Sequence, residues 1–465
     1  MITDYLDFEV ELGPGDAVAG WPVSVVQSPA GNERGMLRLS AAPDQLALAA
    51  QGLDGAGARR YGQELFDALL GHSPVGSSYT ESLGVANALG KGLRVRLRIV
   101  DPALAVIPWE LIYEQRFGEF MALSHETPLL RMAEAAQPMQ PLAVTPPLRI
   151  LGLAVDPTGE IDLAAEQAAV ENALAGLVQR GQAELVWLAG GTWRDIQRAL
   201  RGSNGAWHVF HFVGHGFFDQ TTGEGAVLLA GEEGSPELLD ASRLGRLLAA
   251  HAALRLVVLS ACHSAATTAS DLYAGAAGTL VRRGVPAVIA MQFAVAAGAA
   301  REWSRTFYEA LADGMALEGA LTEARIAASM GSGLDWAAPV AYLRAPDGVL
   351  FNMATAPAQT SPAATPPSAP APAGSAKLTG QQFGAFHRAL LNAFSLDELR
   401  MMVRIELGEN LDTIASTGSL SAITEALISW AERTGRLAAL VQGASKTRPG
   451  NRELQAFIAS WQNTG

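Results

Sequence analysis

Between residues 148 and 350 the chain alternates short apolar runs with amphipathic stretches. The runs at 149–155, 183–188, 207–213, 226–230, 254–260, 287–293 and 340–344 are apolar on both faces. Stretches of helical period at 163–180, 193–201, 242–251, 272–283, 300–312 and 316–330 separate most of them. Strands buried on both faces and joined through helices predict a mostly parallel sheet covered by helices on either side. The uncharged stretch 284–300 falls short of the ~20 residues of a membrane span. Pro286, Gln292 and Gly298 interrupt it, so it reads as a buried strand running into a helix.

The flanking regions differ. In 1–147, segments 8–12 and 21–27 read as strands around Gly-Pro-Gly turn chemistry, and 59–70 reads as a helix. Segment 93–100 alternates apolar residues with arginine, the pattern of a half-exposed strand with one solvated basic face. This region is either a small α+β domain or an elaborated edge of the main sheet. Residues 353–377 are almost wholly Ala, Pro, Ser and Thr, which bury no core and favour an extended spacer. Residues 378–465 carry only helical stripes: Phe383, Phe386, Leu390 and Leu391; Ile423, Leu427, Ile428 and Trp430; Leu454, Phe457, Ile458 and Trp461. Ser395 and Glu398 form a capping box at the start of one helix, and the whole predicts a compact all-α bundle.

Composition narrows the function. A formal net charge of −13 leaves no electrostatic footprint for duplex nucleic acid or an anionic membrane. The single cysteine, Cys262, excludes a disulfide scaffold and a multi-cysteine zinc site. The acidic Met1 to Asp7 segment has no basic or apolar leader pattern, so a cytoplasmic protein is expected. Walker-type phosphate loops, GxSxG, HExxH and GxGxxG after a strand are all missing, and no metal or cofactor is expected.

Two segments remain. Trp207-His-Val-Phe-His-Phe-Val-Gly-His215-Gly216 is an apolar strand ending in a glycine-flanked histidine. Leu256-Val-Val-Leu-Ser-Ala-Cys262 is another, ending in the cysteine. Reacting groups of open parallel sheets gather at the carboxyl ends of strands, so neighbouring strands would bring His215 and Cys262 together. A thiol needs an adjacent imidazole to become the nucleophilic thiolate, and the amides of Gly216 and Cys262 suit an oxyanion hole. That is an acyl-transfer site. His208 and His211, on opposite faces of their strand, read as packing or hydrogen-bonding residues, and Asp219 as a turn residue. Pro108-Trp-Glu-Leu111 reads as packing of the N-terminal region onto the sheet.

Cys262 follows His215 by 47 positions (262 − 215), near the caspase spacing. With Pro108-Trp-Glu-Leu111, His211-Phe-Val-Gly-His-Gly-Phe-Phe-Asp219, Leu259-Ser-Ala-Cys262, segment 278–293 and Pro339-Val-Ala-Tyr-Leu343, the chain resembles the CHAT family of caspase-like peptidases over roughly 60–350. The family usually follows its cysteine with an acidic or polar residue and Thr-Gly; here His263-Ser264-Ala265 stands instead. The resemblance implies His215 as base, Cys262 as nucleophile, Gly216 in the oxyanion hole, and Met291, Gln292 and Phe293 lining a side-chain pocket. It also offers Asp271 as a selector of basic side chains, though the simpler reading of Asp271 is the N-cap of the helix beginning near Leu272. The C-terminal bundle resembles death-like effector-associated domains.

The expected organisation is therefore an N-terminal α+β region (1–147), a caspase-like core (148–352), a linker (353–377) and a helical effector-associated domain (378–465). The implied function is a cysteine endopeptidase of a bacterial conflict, defence or cell-death system. Its implied partners are a protein substrate and a sensor or adaptor carrying a similar bundle; oligomerisation is compatible with either role. The alternative is an inactive peptidase-like scaffold acting by protein binding.

Overall fold

The computed structural model describes residues 4–50, 52–133, 139–202, 206–219, 224–261, 274–293, 295–331, 333–344, 348–353, 378, 380–407, 409, 411–414, 420–434 and 436–462. The chain divides into two compact units, Met1–Gln359 and Thr360–Gly465.

The larger unit is built on one eleven-stranded sheet. Its strands are β1 (Tyr5–Leu12), β2 (Trp21–Gln27), β3 (Arg34–Leu37), β4 (Gly92–Ile99), β5 (Leu129–Met132), β6 (Leu148–Ala154), β7 (Ala183–Trp187) and β8 (Val209–Gly214). A small antiparallel sheet follows, β9 (Gly216–Asp219), β10 (Glu224–Ala230) and β11 (Pro236–Asp240). The main sheet resumes with β12 (Leu256–Ala261), β13 (Ala287–Met291) and β14 (Pro339–Leu343), in the order β7-β6-β8-β12-β13-β14-β5-β4-β1-β2-β3. Only β13–β14, β1–β2 and β2–β3 are antiparallel neighbours. The sheet is mostly parallel, as the apolar runs predict.

Alternation along each strand divides the core. Leu151, Leu153, Phe210, Phe212, Val257 and Leu259 pack on one side with α4 (Trp193–Gly202), α5 (Ala241–Ala249) and α6 (Ala274–Arg282). Ile150, Val209, Val258 and Ile289 pack on the other with α3 (Leu163–Gln179), α7 (Ala297–Ala312) and α8 (Leu317–Ser329). That second core continues without a break into α1 (Gly55–Leu70), α2 (Pro74–Ala88) and the N-terminal strands, so residues 1–147 extend the edge of the main sheet. Asp side chains start three of these helices: Asp54 accepts from Gly57 N at 2.6 Å, Asp162 from Ala165 N at 3.0 Å and Asp240 from Arg243 N at 2.7 Å. The uncharged stretch 284–300 is strand β13 entering α7, and among the described residues no helix is long and apolar enough to cross a membrane.

Three expectations are corrected. The arginines of β4 are not a solvated face, because Arg94 and Arg96 are 5% and 3% exposed. Strand β4 lies inside the sheet, and its parallel register on β1 sets Asp7, Glu9 and Glu11 opposite Arg94, Arg96 and Arg98. Asp7 holds Arg94 at 2.8 Å and Arg96 at 3.1 Å, and the buried Glu318 of α8 also pairs with Arg94. Buried charges persist when paired in this way. Secondly, segment 226–230 belongs to the small antiparallel sheet and not to the main one. Thirdly, Asp219 is no turn residue; it closes β9, opposite Glu224.

The smaller unit is helical among its described residues: α9 (Gly380–Ala393), α10 (Leu396–Met402), α11 (Leu411–Ile414), α12 (Leu420–Arg433), α13 (Leu437–Thr447) and α14 (Arg452–Gln462). Phe386, Leu390, Ile423, Leu427, Ile428, Leu454 and Phe457 of the predicted stripes meet in its core, where Phe386 stacks on Phe457 at 4.6 Å; the Trp461 side chain lies outside the described residues. Glu398 reaches back to accept from Ser395 N at 2.9 Å, the capping contact read from sequence.

Candidate active site

His215 leaves the carboxyl end of β8, between β6 and β12. The β8–β12 register sets Gly214 opposite Ala261, so His215 is the next residue on one strand and Cys262 the next along the chain on the other. Cys262 and Asp271 lie outside the described residues. Gly214 is required here: a Cβ would meet the carbonyl oxygen of Val155 and the Phe212 ring at 2.7 Å. The backbone of His215 is pinned by the small sheet, its carbonyl accepting from Leu228 N at 3.0 Å. That bond makes Gly216, opposite Val227, a non-hydrogen-bonded position of the ladder, with its N–H turned away from β10.

The imidazole is 6% exposed, and its Nε2 lies 3.1 Å from Asp156 Oδ1 and 3.2 Å from Thr158 Oγ1. Asp156 follows β6, the strand paired with β8 on its other side. Its buried carboxylate accepts from Thr158 N at 2.8 Å, Thr158 Oγ1 at 2.6 Å and Ile161 N at 2.6 Å. Burial would raise the carboxyl pKa, but these hydrogen bonds and the nearby imidazole outweigh it and hold the group well below the usual carboxylate range. Asp156 is therefore an anion that only accepts, so Nε2 carries the proton shared with it. Nδ1 has no partner among the described residues and is the nitrogen left for chemistry.

His211 within β8 and His208 just before it hold neighbouring elements together. His211 is fully buried, with Nδ1 2.7 Å from the Tyr308 hydroxyl and Nε2 3.5 Å from Ser260 Oγ. His208 Nδ1 accepts from Arg149 N at 3.0 Å. Burial lowers both pKa values to about 4, helped at His208 by Arg149 and Arg255. Among the described residues no cluster of three or more His, Cys, Asp or Glu side chains suits a metal ion.

The expected pocket positions part company. Met291 is buried at the end of β13 and lines a narrow cleft. Phe293 is half-buried against the core. Gln292 is committed elsewhere: it donates to Glu110 Oε2 at 2.9 Å and to Ala337 O at 2.8 Å, and accepts from Arg131 at 3.2 Å. Glu110 in turn pairs with Arg131 at 2.7 Å, both 1% exposed, while Trp109 Nε1 donates to Leu104 O at 2.9 Å. The Pro108-Trp-Glu-Leu111 motif thus ties the N-terminal region to the β13 end of the sheet. Sequence reasoning missed Asp156. Its signal was present: Val155-Asp156-Pro157-Thr158-Gly159 also ends an apolar strand in turn chemistry.

A glycine-flanked histidine at the rim of a parallel sheet, beside the strand that leads into the lone cysteine, defines a caspase-like protein. The chain belongs to the CHAT family: the CHAT domain model matches residues 59–360. The model of effector-associated domain 1 matches residues 376–462. Among solved structures, the chain is similar to the Arg-specific cysteine proteinase gingipain R. That match has 13% identity and a TM-score of 0.35, covering 66% of this chain and 70% of that one. It is also similar to separase in the Saccharomyces cerevisiae separase–securin complex, with 16% identity and a TM-score of 0.35, over 67% of this chain and 20% of that one. No curated protein matches the chain.

Proposed function

We propose that the chain is a cysteine endopeptidase whose nucleophile is Cys262. The thiolate attacks the carbonyl carbon of a substrate peptide bond, forming the C–S bond while the carbonyl electrons move to oxygen. His215, through Nδ1, takes the thiol proton and returns it to the leaving amine. Water then attacks the thioester, giving its proton to His215, and releases the acid and the free thiol. The amides of Gly216 and Cys262 hold the oxyanion. The observation that carries this reading is the Asp156 carboxylate 3.1 Å from His215 Nε2. It orients the ring with Nδ1 free and stabilises the imidazolium that forms.

The effector-associated unit is the recruitment module in this reading. It docks a sensor or adaptor carrying a similar bundle, and the Ala/Pro-rich linker raises the peptidase's local concentration at that partner. In this reading the chain is a bacterial defence or regulated cell-death effector acting in the cytoplasm on a protein substrate; the family match supports its caspase-like peptidase part. Proteome-wide mapping of new N-termini in cells expressing wild-type or Cys262→Ala protein tests the proposal. Cleavages confined to the wild type are expected. Identical maps together with an unchanged cellular effect would point to a binding scaffold.

A further inference from the structure

Strand β3 is an open edge of the main sheet, paired among the described residues with β2 alone. Val25 N donates to Glu33 O at 2.8 Å, which sets the phase of their antiparallel ladder. Val23 with Gly35 and Trp21 with Leu37 are then hydrogen-bonded pairs, whereas Ser24 with Arg34 and Pro22 with Met36 are not. Pro22, which has no N–H to give, fits that phase. The N–H and C=O groups of Arg34 and Met36 therefore face away from β2, along the open edge. Side chains alternate as well: Arg34, Met36 and Arg38 are exposed on one face, while Leu37 and Leu39 turn inward. Neither arginine has an ion-pair or side-chain hydrogen-bond partner among the described residues. Where β3 ends, a cleft of about 280 Å³ opens, walled by Leu39, Leu46, Tyr61 and Leu65. Arg38, Glu64 and Asp67 also line it.

We infer that this edge takes up an extended segment of a partner protein as an added strand, with a carboxylate opposite Arg34 and a large apolar side chain in the cleft. The inference goes beyond the peptidase reading and does not depend on turnover. Unpaired backbone groups on a sheet edge are a template for strand addition. Charge then selects the partner. Across this face the register sets Arg98 beside Glu11, Glu11 beside Ser24, and Ser24 beside Arg34. An anion beside Arg34 continues that row, and opposite charges on facing positions stabilise a strand pair. Arg38 shares the cleft with Glu64 and Asp67, which offset it, so the preference falls on Arg34. A second copy fits less well. Added antiparallel about Met36, it would set Arg34 of each chain against Arg38 of the other, and facing like charges destabilise a pair. The cleft holds the anchor: its walls are mostly apolar, and it has room for one large side chain.

The test uses the full chain and a fluorescein-labelled peptide, Phe-Thr-Val-Val-Thr-Glu. In antiparallel register it sets phenylalanine at Leu39, beside the cleft, and glutamate opposite Arg34. Fluorescence anisotropy compares it with the same peptide carrying lysine in place of the glutamate. Tighter binding of the glutamate peptide is expected. Arg34→Glu should reverse the order of the two peptides and weaken the glutamate one about fivefold. Met36→Pro removes an N–H that faces the open edge and none that β2 uses. It should weaken both peptides about fivefold with the melting temperature near wild type. Serine in place of the peptide's phenylalanine should weaken binding about tenfold. No binding at millimolar peptide, equal binding of the two peptides, or binding untouched by both variants overturns the inference. Sedimentation velocity of the peptide-free chain is the second readout. A dimer that Met36→Pro abolishes also overturns the inference, because the edge then belongs to a second copy.

Discussion

The two ends of β8 carry the same side chain in opposite electrostatic settings. His208, just before the amino end, sits near the cations Arg149 and Arg255, and its ring accepts a backbone N–H. His215, just past the carboxyl end, meets the anion Asp156. Burial is similar, 8% and 6% exposed, so burial does not distinguish them. Neighbours do. At His208 burial, helped by the cations Arg149 and Arg255, lowers the imidazole pKa, whereas at His215 the Asp156 carboxylate accepts the Nε2 proton and fixes the ring. The difference arises from strand order, because β6 places Arg149 at one end of its pairing with β8 and Asp156 at the other.

Exchanging the two histidines' fates is the strongest way to break this comparison. His215→Ala should reduce kcat/KM on a peptide the wild type cleaves by about 10³-fold or more, while His208→Gln should leave it near wild type. Comparable losses in both variants would remove the distinction. Replacing the anion alone comes next. Asp156→Asn should lower kcat/KM by about 10²-fold across the whole pH–rate profile, because the ring loses the acceptor that fixes its orientation with Nδ1 free. An unchanged profile would mean that Asp156 has only a structural role.

The neutral histidines make a stability prediction of opposite sign to a salt-bridged one. In the native state His208 and His211 titrate near 4, against about 6.5 when unfolded. Between these values the unfolded chain binds more protons, so stability falls as pH drops from 6.5 toward 4. Each histidine contributes roughly 2–3 kcal/mol to that fall by pH 4.5. The depressed Asp156 carboxylate loses its contribution only at lower pH, as it protonates below the usual carboxylate range. Thermal melts at pH 7 and 4.5 should show the drop, and His211→Gln should shrink it. The smallest expected effect is Gly214→Ala, where a methyl meets the Val155 carbonyl and the Phe212 ring. It should destabilise by about 1–3 kcal/mol and displace His215, read by melting temperature and kcat/KM together.

Much of this was legible along the chain, for physical reasons that act locally. Apolar runs such as Val209–Gly214 and Leu256–Ala261 have to be buried on both faces, and that requirement alone implies a helix-covered parallel sheet. A strand end followed by glycine marks a rim residue, which singled out His215. The arginines of β4 misled because alternation reports which residues share a face and says nothing of what covers it. Only the parallel register with Asp7, Glu9 and Glu11, and Glu318 arriving from more than 200 positions away, turned an apparently solvated face into a buried ion-pair lattice.

The same division holds at the site. Local sequence, through hydrophobic period and turn residues, determined the fold class, the helical C-terminal unit and His215 at a strand end. Strand order and register are properties of long-range pairing, and they alone decided that Asp156 stands beside His215 and that Gln292 serves the Glu110–Arg131 pair. They also leave β3 as an open edge of the sheet. No short window of residues contains that information, because the energy that selects it comes from contacts between segments distant in the chain.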